Sequence, residues 1–410
     1  MQNDRQIILE LAKQYAEIAA NPINVEREKL YRGINDLKMI RPVVLIDELP
    51  WSELNINDEL TTRSTSPVAQ NIEWFFRSII YKWKHLQADM IVSPHFPVFK
   101  RILTTGNGFN RKEETLASDS GNSIVSHAFE DQFLDDSALE KFHKEIISYD
   151  EKSTLQEYEQ VSDLIGDAVL VKIVGTHIGT GVWDDISVLR GVTNLLYDLI
   201  ERPEFTHEMV RIMTEINRDK FRQYEELNLF EAGVNTVHCT PALSEKLPTS
   251  KPLGENVKLG DIWGRAVAQI FASVSPDMHD EFDIEYVKSL MEPFGLVYYG
   301  CCEPLDRKID ILEKIPNLRK ISITPWADVD NAAEKIGRKY VLSSKPNPSS
   351  VAVSKLDEAA VRDELTKIIS ACQRNNCAVD IVLKDISSVG HNPENIFKWE
   401  RIAMELVGAR

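Results

Sequence analysis

The chain is short of several things at once. Of its 410 residues only five are cysteine, and Lys plus Arg number 47 against 64 Asp plus Glu, a formal charge of -17. That balance excludes a nucleic-acid surface built on phosphate neutralisation and argues for solubility instead. No apolar stretch approaches the roughly 18 residues that a membrane helix needs, so no membrane role is expected. The opening "MQNDRQIILELAKQYAEIAANP" lacks the basic start, apolar run and small-residue cleavage site of a secretory signal. A cytoplasmic protein is the expectation. There an odd number of thiols is poor material for a disulfide framework, which leaves core fillers, metal ligands or reactive groups. A glycine-rich phosphate turn is also missing, because "GNGFNR" has neither the third glycine nor the strand-to-helix context of G-x-G-x-x-G.

What is present can fill a large core, with 43% hydrophobic residues. Residues 1–40 read as a helical extension: Ile7, Ile8, Leu11, Tyr15 and Ile18 recur at helical spacing until Asn21-Pro22. Beyond them, "RPVVLIDELP", "MIVSPHFPVF", "AVLVKIVGT", "AGVNTVHCTP", "GLVYYGCCEP", "LRKISITPW", "KYVLSSKPNP" and "AVDIVLKDIS" are β-type runs. Helical patterns such as "ADVDNAAEKIG" and "DEAAVRDELTKIISACQ" separate most of them. Alternation of this kind predicts parallel βαβ units, and about eight runs in one chain predict a (β/α)8 barrel over residues 41–410. The segment at about 100–160, with "TTGNGFN" and "SDSGNS" as turn clusters, is expected to be an inserted hairpin or lid.

In a barrel the active site gathers at the C-terminal ends of the strands. Those ends carry His238 and Cys239, then Cys301, Cys302 and Glu303, then Trp326, Lys345, and finally Lys384 with Asp385. His, Cys and carboxylate are the usual zinc donors, so a metal site drawn from His238, Cys301, Cys302 and Glu303 is one reading. A buried core pair and a metal-free nucleophilic thiol are the others. Strand alternation aims Cys301 and Glu303 at one face and Cys302 at the opposite one. His238, Glu303, Lys384 and Asp385 are the candidates for catalysis. His95, His177, Tyr299, Trp326 and Lys345 are the candidates for contact with substrate.

The stretches "AGVNTVHC", "EYVKSLMEPFGLVYYGCC", "PWADVDNAAEKIG", "SSKPNPS" and "NPENI" resemble the uroporphyrinogen decarboxylase superfamily, and within it the corrinoid-dependent methyltransferase branch. The likeness covers the C-terminal half well and the first half in outline. It implies a (β/α)8 barrel of that type, with chemistry at the C-terminal mouth and a zinc ion held by a His-x-Cys pair and a later Cys. This sequence departs from that motif: Tyr299 stands at the histidine, Cys301 at the first cysteine, and serines of "DISSVGH" near the second. His238 and Glu303 are the residues that would complete the set.

The expected function is therefore methyl transfer from a small O-methyl or N-methyl donor to a corrinoid carried by a separate corrinoid-binding protein, assisted by zinc. The alternative is a decarboxylase acting on a small or aromatic carboxylic acid. The superfamily's arginine-rich motif for a tetrapyrrole has no counterpart near residues 20–60. A homodimer is compatible with either reading.

Overall fold

The computed structural model describes residues 2–117, 125–252 and 254–409; the "SDSGNS" cluster lies outside them. Two helices open the chain, Gln2–Ala19 and Ile23–Asn35. The strands that frame the rest are β1 (Val43–Ile46), β2 (His95–Phe99), β3 (Leu170–Val174), β4 (Trp263–Ala266), β5 (Leu296–Tyr299), β6 (Leu318–Ile323), β7 (Val341–Ser344) and β8 (Ala378–Leu383). Six of them form one parallel sheet in the order β1-β8-β7-β6-β5-β4.

Strands of a parallel sheet read as unbroken apolar runs because both of its faces are covered. All four residues of β1, β5 and β7 and all six of β8 are buried. One polar pair is buried with them: Lys320 of β6 and Asp380 of β8 meet at 2.8 Å, both fully inaccessible. Helices such as Val329–Ile336, Glu358–Arg374 and Glu394–Leu406 pack outside, each with an apolar stripe on the sheet. Asp328 and Asp357 cap the first two by accepting backbone N–H bonds.

β2 and β3 pair with each other in parallel rather than joining the main sheet by a full ladder. A single bridge, Thr180 to Ala266, ties the chain after β3 to β4, and another joins Thr176 to Phe230. Near the opposite edge, Asp89 N–H donates to Val44 C=O at 3.0 Å. The outer side of the β2/β3 pair, with Phe96 and Val98, is covered by Ile8, Ala12 and Tyr15 of the first helix and Phe76 of the Pro67–His85 helix.

Within residues 100–160 lie two antiparallel pairings, Ile102–Thr104 with Ile147–Tyr149 and Glu113–Ala117 with Val125–Phe129.

One expectation differs from the structure. "AGVNTVHCTP" is not a strand of the parallel sheet but a tight antiparallel hairpin, Thr236–Val237 against Thr240–Pro241. His238 (φ 44°) and Cys239 (φ 64°) form its turn, both left-handed, the backbone that a two-residue hairpin demands. Lys320 Nζ donates to Pro241 C=O at 2.7 Å and Trp263 Nε1 to Ala242 C=O at 2.7 Å. These bonds hold the hairpin base, and its tip points to the strand ends.

Candidate active site

β5 to β8 and β1 all finish at one rim, and their ends place charged and sulfur-bearing side chains there. Cys301, Cys302, Trp326, Lys345, Lys384 and Asp385 line a cavity of about 350 Å3. Prolines 325, 346 and 348 complete an apolar wall, which stiffens the loops that carry the polar groups.

The cysteine pair departs from strand alternation. β5 ends at Tyr299, and Gly300 (φ 99°) takes a conformation that other residues rarely adopt, so the period of two no longer applies. A Cβ there would lie 2.6 Å from Leu305 Cδ1 and 3.1 Å from Ser322 Cβ, a second reason for glycine. As a result the two sulfurs approach to 3.4 Å. Cys301 is buried and Cys302 exposed.

Their surroundings are opposite. Cys301 Sγ has His238 Nε2 at 3.0 Å and the Lys384 ammonium at 3.8 Å. Cys302 Sγ lies 3.7 Å from Asp385 Oδ2, a carboxylate that disfavours a second negative charge. The Cys302 thiol therefore donates and Cys301 carries the charge. The hydrogen bond from Cys302, with those of His238 and Lys384 behind it, holds the Cys301 thiol well below its usual range, against burial. Its bond to Cys301 and burial push Cys302 up.

His238 Nε2 also has Arg265 Nη2 at 3.4 Å. One ring nitrogen cannot accept from a guanidinium and donate to a thiolate at once. The shorter contact to a charged sulfur decides for donation to Cys301. Burial lowers the imidazole pKa, so His238 is the neutral donor of this pair.

Lys384 bridges Asp385 (2.8 Å) and Glu48 (3.2 Å) at the rim. Burial opposes its charge, but the Cys301 thiolate, Asp385 and Glu48 outweigh that and raise its pKa. Lys345 is different. It is 5% exposed, and burial lowers it to about 8. Its Nζ donates to Ser343 Oγ at 2.6 Å, and that hydroxyl donates in turn to Asp380 Oδ1. Glu48, His238, Cys239 and Asp385 all have positive φ, so left-handed backbone clusters at this rim.

Other expected residues fall elsewhere. Glu303 turns away from the cavity and is fully buried; its two oxygens accept N–H bonds from Cys301 (3.0 Å) and Ala268 (3.4 Å). Burial raises it to about 7. Tyr299 is buried below, with its hydroxyl on His279 Nε2 (2.7 Å) and Asp283 Oδ2 (2.6 Å). His95 and His177 line a separate cavity. Trp326 stands at the mouth, 72% exposed.

A zinc ion needs several donors free to turn on it. Among the described residues no group of three or more His, Cys, Asp or Glu side chains is arranged to hold a metal ion. Both oxygens of Glu303 are engaged by backbone amides, and an ammonium stands beside Cys301. The residues present do not fit the expected four-donor set.

Arg265 and Glu48 were not singled out by sequence. "WGRA" carries a glycine and an arginine, which hides β4 as an apolar run. A Cβ at Gly264 would lie 2.6 Å from the Phe294 ring, so glycine lets β4 pass under the turn that follows the Glu285–Met291 helix.

No protein-family model and no curated protein matches the chain. Among solved structures, a methyltransferase from Methanosarcina mazei is similar over 93% of this chain and 98% of its own, at 11% identity and a TM-score of 0.50. That likeness concerns the fold, a mixed α/β chain around a parallel sheet. Among the described residues no helix is long and apolar enough to cross a membrane.

Proposed function

We propose that the chain is a cytoplasmic methyltransferase of a corrinoid-dependent system, built on a closed (β/α)8 barrel. It would take a methyl group from a small O-methyl or N-methyl donor and deliver it to a corrinoid on a separate protein. The observation that carries this reading is the convergence of Cys301, Lys345 and Lys384 on one open cavity at the C-terminal ends of a parallel sheet. The similarity in fold to a solved methyltransferase supports it. Barrel closure is supported by the bridges after β3 and by the Asp89–Val44 bond beside β1.

A cavity of about 350 Å3 holds a small donor but not a corrinoid macrocycle. The corrinoid fits only as a face presented at the mouth, beside exposed Trp326. When bound, it supplies the nucleophile that accepts the methyl group.

The chain's own residues manage the heteroatom left behind. A general acid works best with a pKa near the working pH. Lys345, lowered to about 8 and aimed by Ser343 and Asp380, meets that requirement and would give its proton to the departing oxygen or nitrogen. Lys384, held charged, would stabilise the negative charge as it develops. The Cys301 thiolate, itself bonded by His238, would help to hold Lys384 in place.

The same two lysines favour the second reading, a decarboxylase, because they would also grip a carboxylate. The test is methyl transfer from a panel of methyl aryl ethers and methylamines to free cob(I)alamin, followed by absorbance. Transfer by the purified chain that falls about 100-fold in Lys345→Met supports the proposal. Carbon dioxide release without any corrinoid would transfer the case to the lyase. One zinc per chain on elemental analysis, lost in Cys301→Ser, would replace the metal-free site with the zinc-assisted one.

A further inference from the structure

Chain neighbours in a β-strand point to opposite faces, so the sulfurs of two adjacent cysteines cannot meet there. Cys301 and Cys302 lie past the end of β5, beyond Gly300 with its φ of 99°, and both line the mouth cavity. Their sulfurs stand 3.4 Å apart and both thiols are free. Cys302 is exposed, whereas Cys301 keeps 5% of its surface. Only a small reagent can reach the second of these sulfurs.

A cysteine reacts as its thiolate, and the groups around this pair divide the work between the two sulfurs. His238 Nε2 at 3.0 Å and the Lys384 ammonium at 3.8 Å favour the anion on Cys301. The Asp385 carboxylate, 3.7 Å from Cys302 Sγ, keeps the proton there. One sulfur is set to attack and its neighbour to resolve the product, which is the arrangement of peroxide-sensitive cysteines.

We propose that Cys301 and Cys302 are an oxidation site for hydrogen peroxide, and that the product is a disulfide between them. The Cys301 sulfur attacks one oxygen, the S–O bond forms as the O–O bond breaks, and the departing hydroxide takes a proton from the Lys384 ammonium. Cys301 is then a sulfenic acid. Cys302 attacks that sulfur, its proton joins the sulfenic hydroxyl, and water leaves. One peroxide is reduced to two waters while the two cysteines give up two electrons, and Lys384 regains its proton from solvent.

Consecutive Cα atoms stand ~3.8 Å apart across a trans peptide, whereas disulfides usually span about 4.4–6.8 Å, so a bridge between chain neighbours is easily reduced. The modification is therefore reversible. Its effect falls on Lys384, which loses the anion at 3.8 Å and keeps Asp385 and Glu48. Oxidation of the pair does not depend on the chain being a methyltransferase. An effect on turnover would rest on that reading, so the test follows the sulfurs alone.

The full chain is treated with hydrogen peroxide at pH 6, and free thiols, intact mass and peptide masses are measured. Wild type should lose two thiols and two hydrogens, both in the peptide that carries Cys301 and Cys302, and dithiothreitol should restore them. Cys372 and Cys377, each 1% exposed, should stay free. Cys302→Ser keeps a hydroxyl donor beside Cys301 but cannot close the bridge, so it should stop at a sulfenic acid that dimedone traps. In Cys301→Ser the remaining Cys302 should oxidise at least about tenfold more slowly, since an ordinary thiol (pKa ~8.5) is only about 0.3% ionised at that pH. Equal rates in wild type and Cys301→Ser, a bridge between Cys372 and Cys377 with the mouth pair intact, or a Cys302→Ser protein that takes up no dimedone would overturn the proposal.

Discussion

The Cys301 sulfur lies 3.4 Å from that of its chain neighbour Cys302, yet the first faces an ammonium and an imidazole and the second a carboxylate. Two adjacent thiols are thereby made chemically unequal. Thiolate absorbance at 240 nm should show one group already ionised at acid pH, where a free cysteine (pKa ~8.5) is protonated. Cys301→Ser should remove that signal. Cys302→Ala deletes the donor that does most to stabilise the anion, so the titration of Cys301 should move up towards the ordinary range. An unchanged curve in both variants would mean that the sulfurs are equivalent.

Lys345 links the site to stability. Its folded pKa of about 8 lies below the 10.5 of the free side chain. Below about pH 8 both states hold the proton, and the folded state carries the full cost of a buried ammonium. Between about 8 and 10.5 the unfolded chain binds more protons than the folded one, so this group's contribution to stability rises with pH. Lys345→Met should flatten that rise, by up to about 3 kcal/mol, in denaturant unfolding compared at pH 7.5 and pH 10. A parallel shift of both proteins across that window would refute it.

The Lys320–Asp380 pair should be costly to break from one side. Both partners are completely buried, and Asp380 also receives the Ser343 hydroxyl. Asp380→Ala leaves an ammonium without a counter-charge, and a loss of about 3–5 kcal/mol in urea unfolding is expected. The double change Lys320→Met, Asp380→Leu should recover most of it, since the removal of both charges abolishes the desolvation penalty.

Cys239 occupies a left-handed turn position that glycine adopts without strain. Cys239→Gly should therefore raise the melting temperature, by an amount equivalent to about 1 kcal/mol. His238→Asn also suits a left-handed backbone but removes the imidazole donor. It should keep or raise stability while the Cys301 thiol loses part of its acidity. Both effects are read by the same thermal and absorbance measurements.

Strands β5 to β8 were legible because parallel, two-sided burial writes them as apolar runs, and Lys345, Lys384 and Asp385 followed from their ends. β4 was not, since Gly264 and Arg265 interrupt its run for reasons of helix packing and interior charge. Alternation misplaced Cys302 because Gly300 had already ended the strand, a fact that one residue's φ decides. His95 and His177 looked like companions of the cysteines, but which cavity a strand end serves depends on β2 pairing with β3. Nothing local to "SPHFPVF" encodes that pairing.

The hairpin that carries His238 is anchored from below by residues far along the chain, Lys320 and Trp263 among them, and reaches Cys301 across 63 positions. Contacts of that sequence separation form only after slow loop closure. During synthesis the hairpin leaves the ribosome before β4 to β8, the strands whose residues anchor it and carry Cys301. The imidazole's place beside the thiolate is thus a record of completed folding: a chain whose sheet has not assembled has both cysteines but lacks the charged environment that makes one of them reactive.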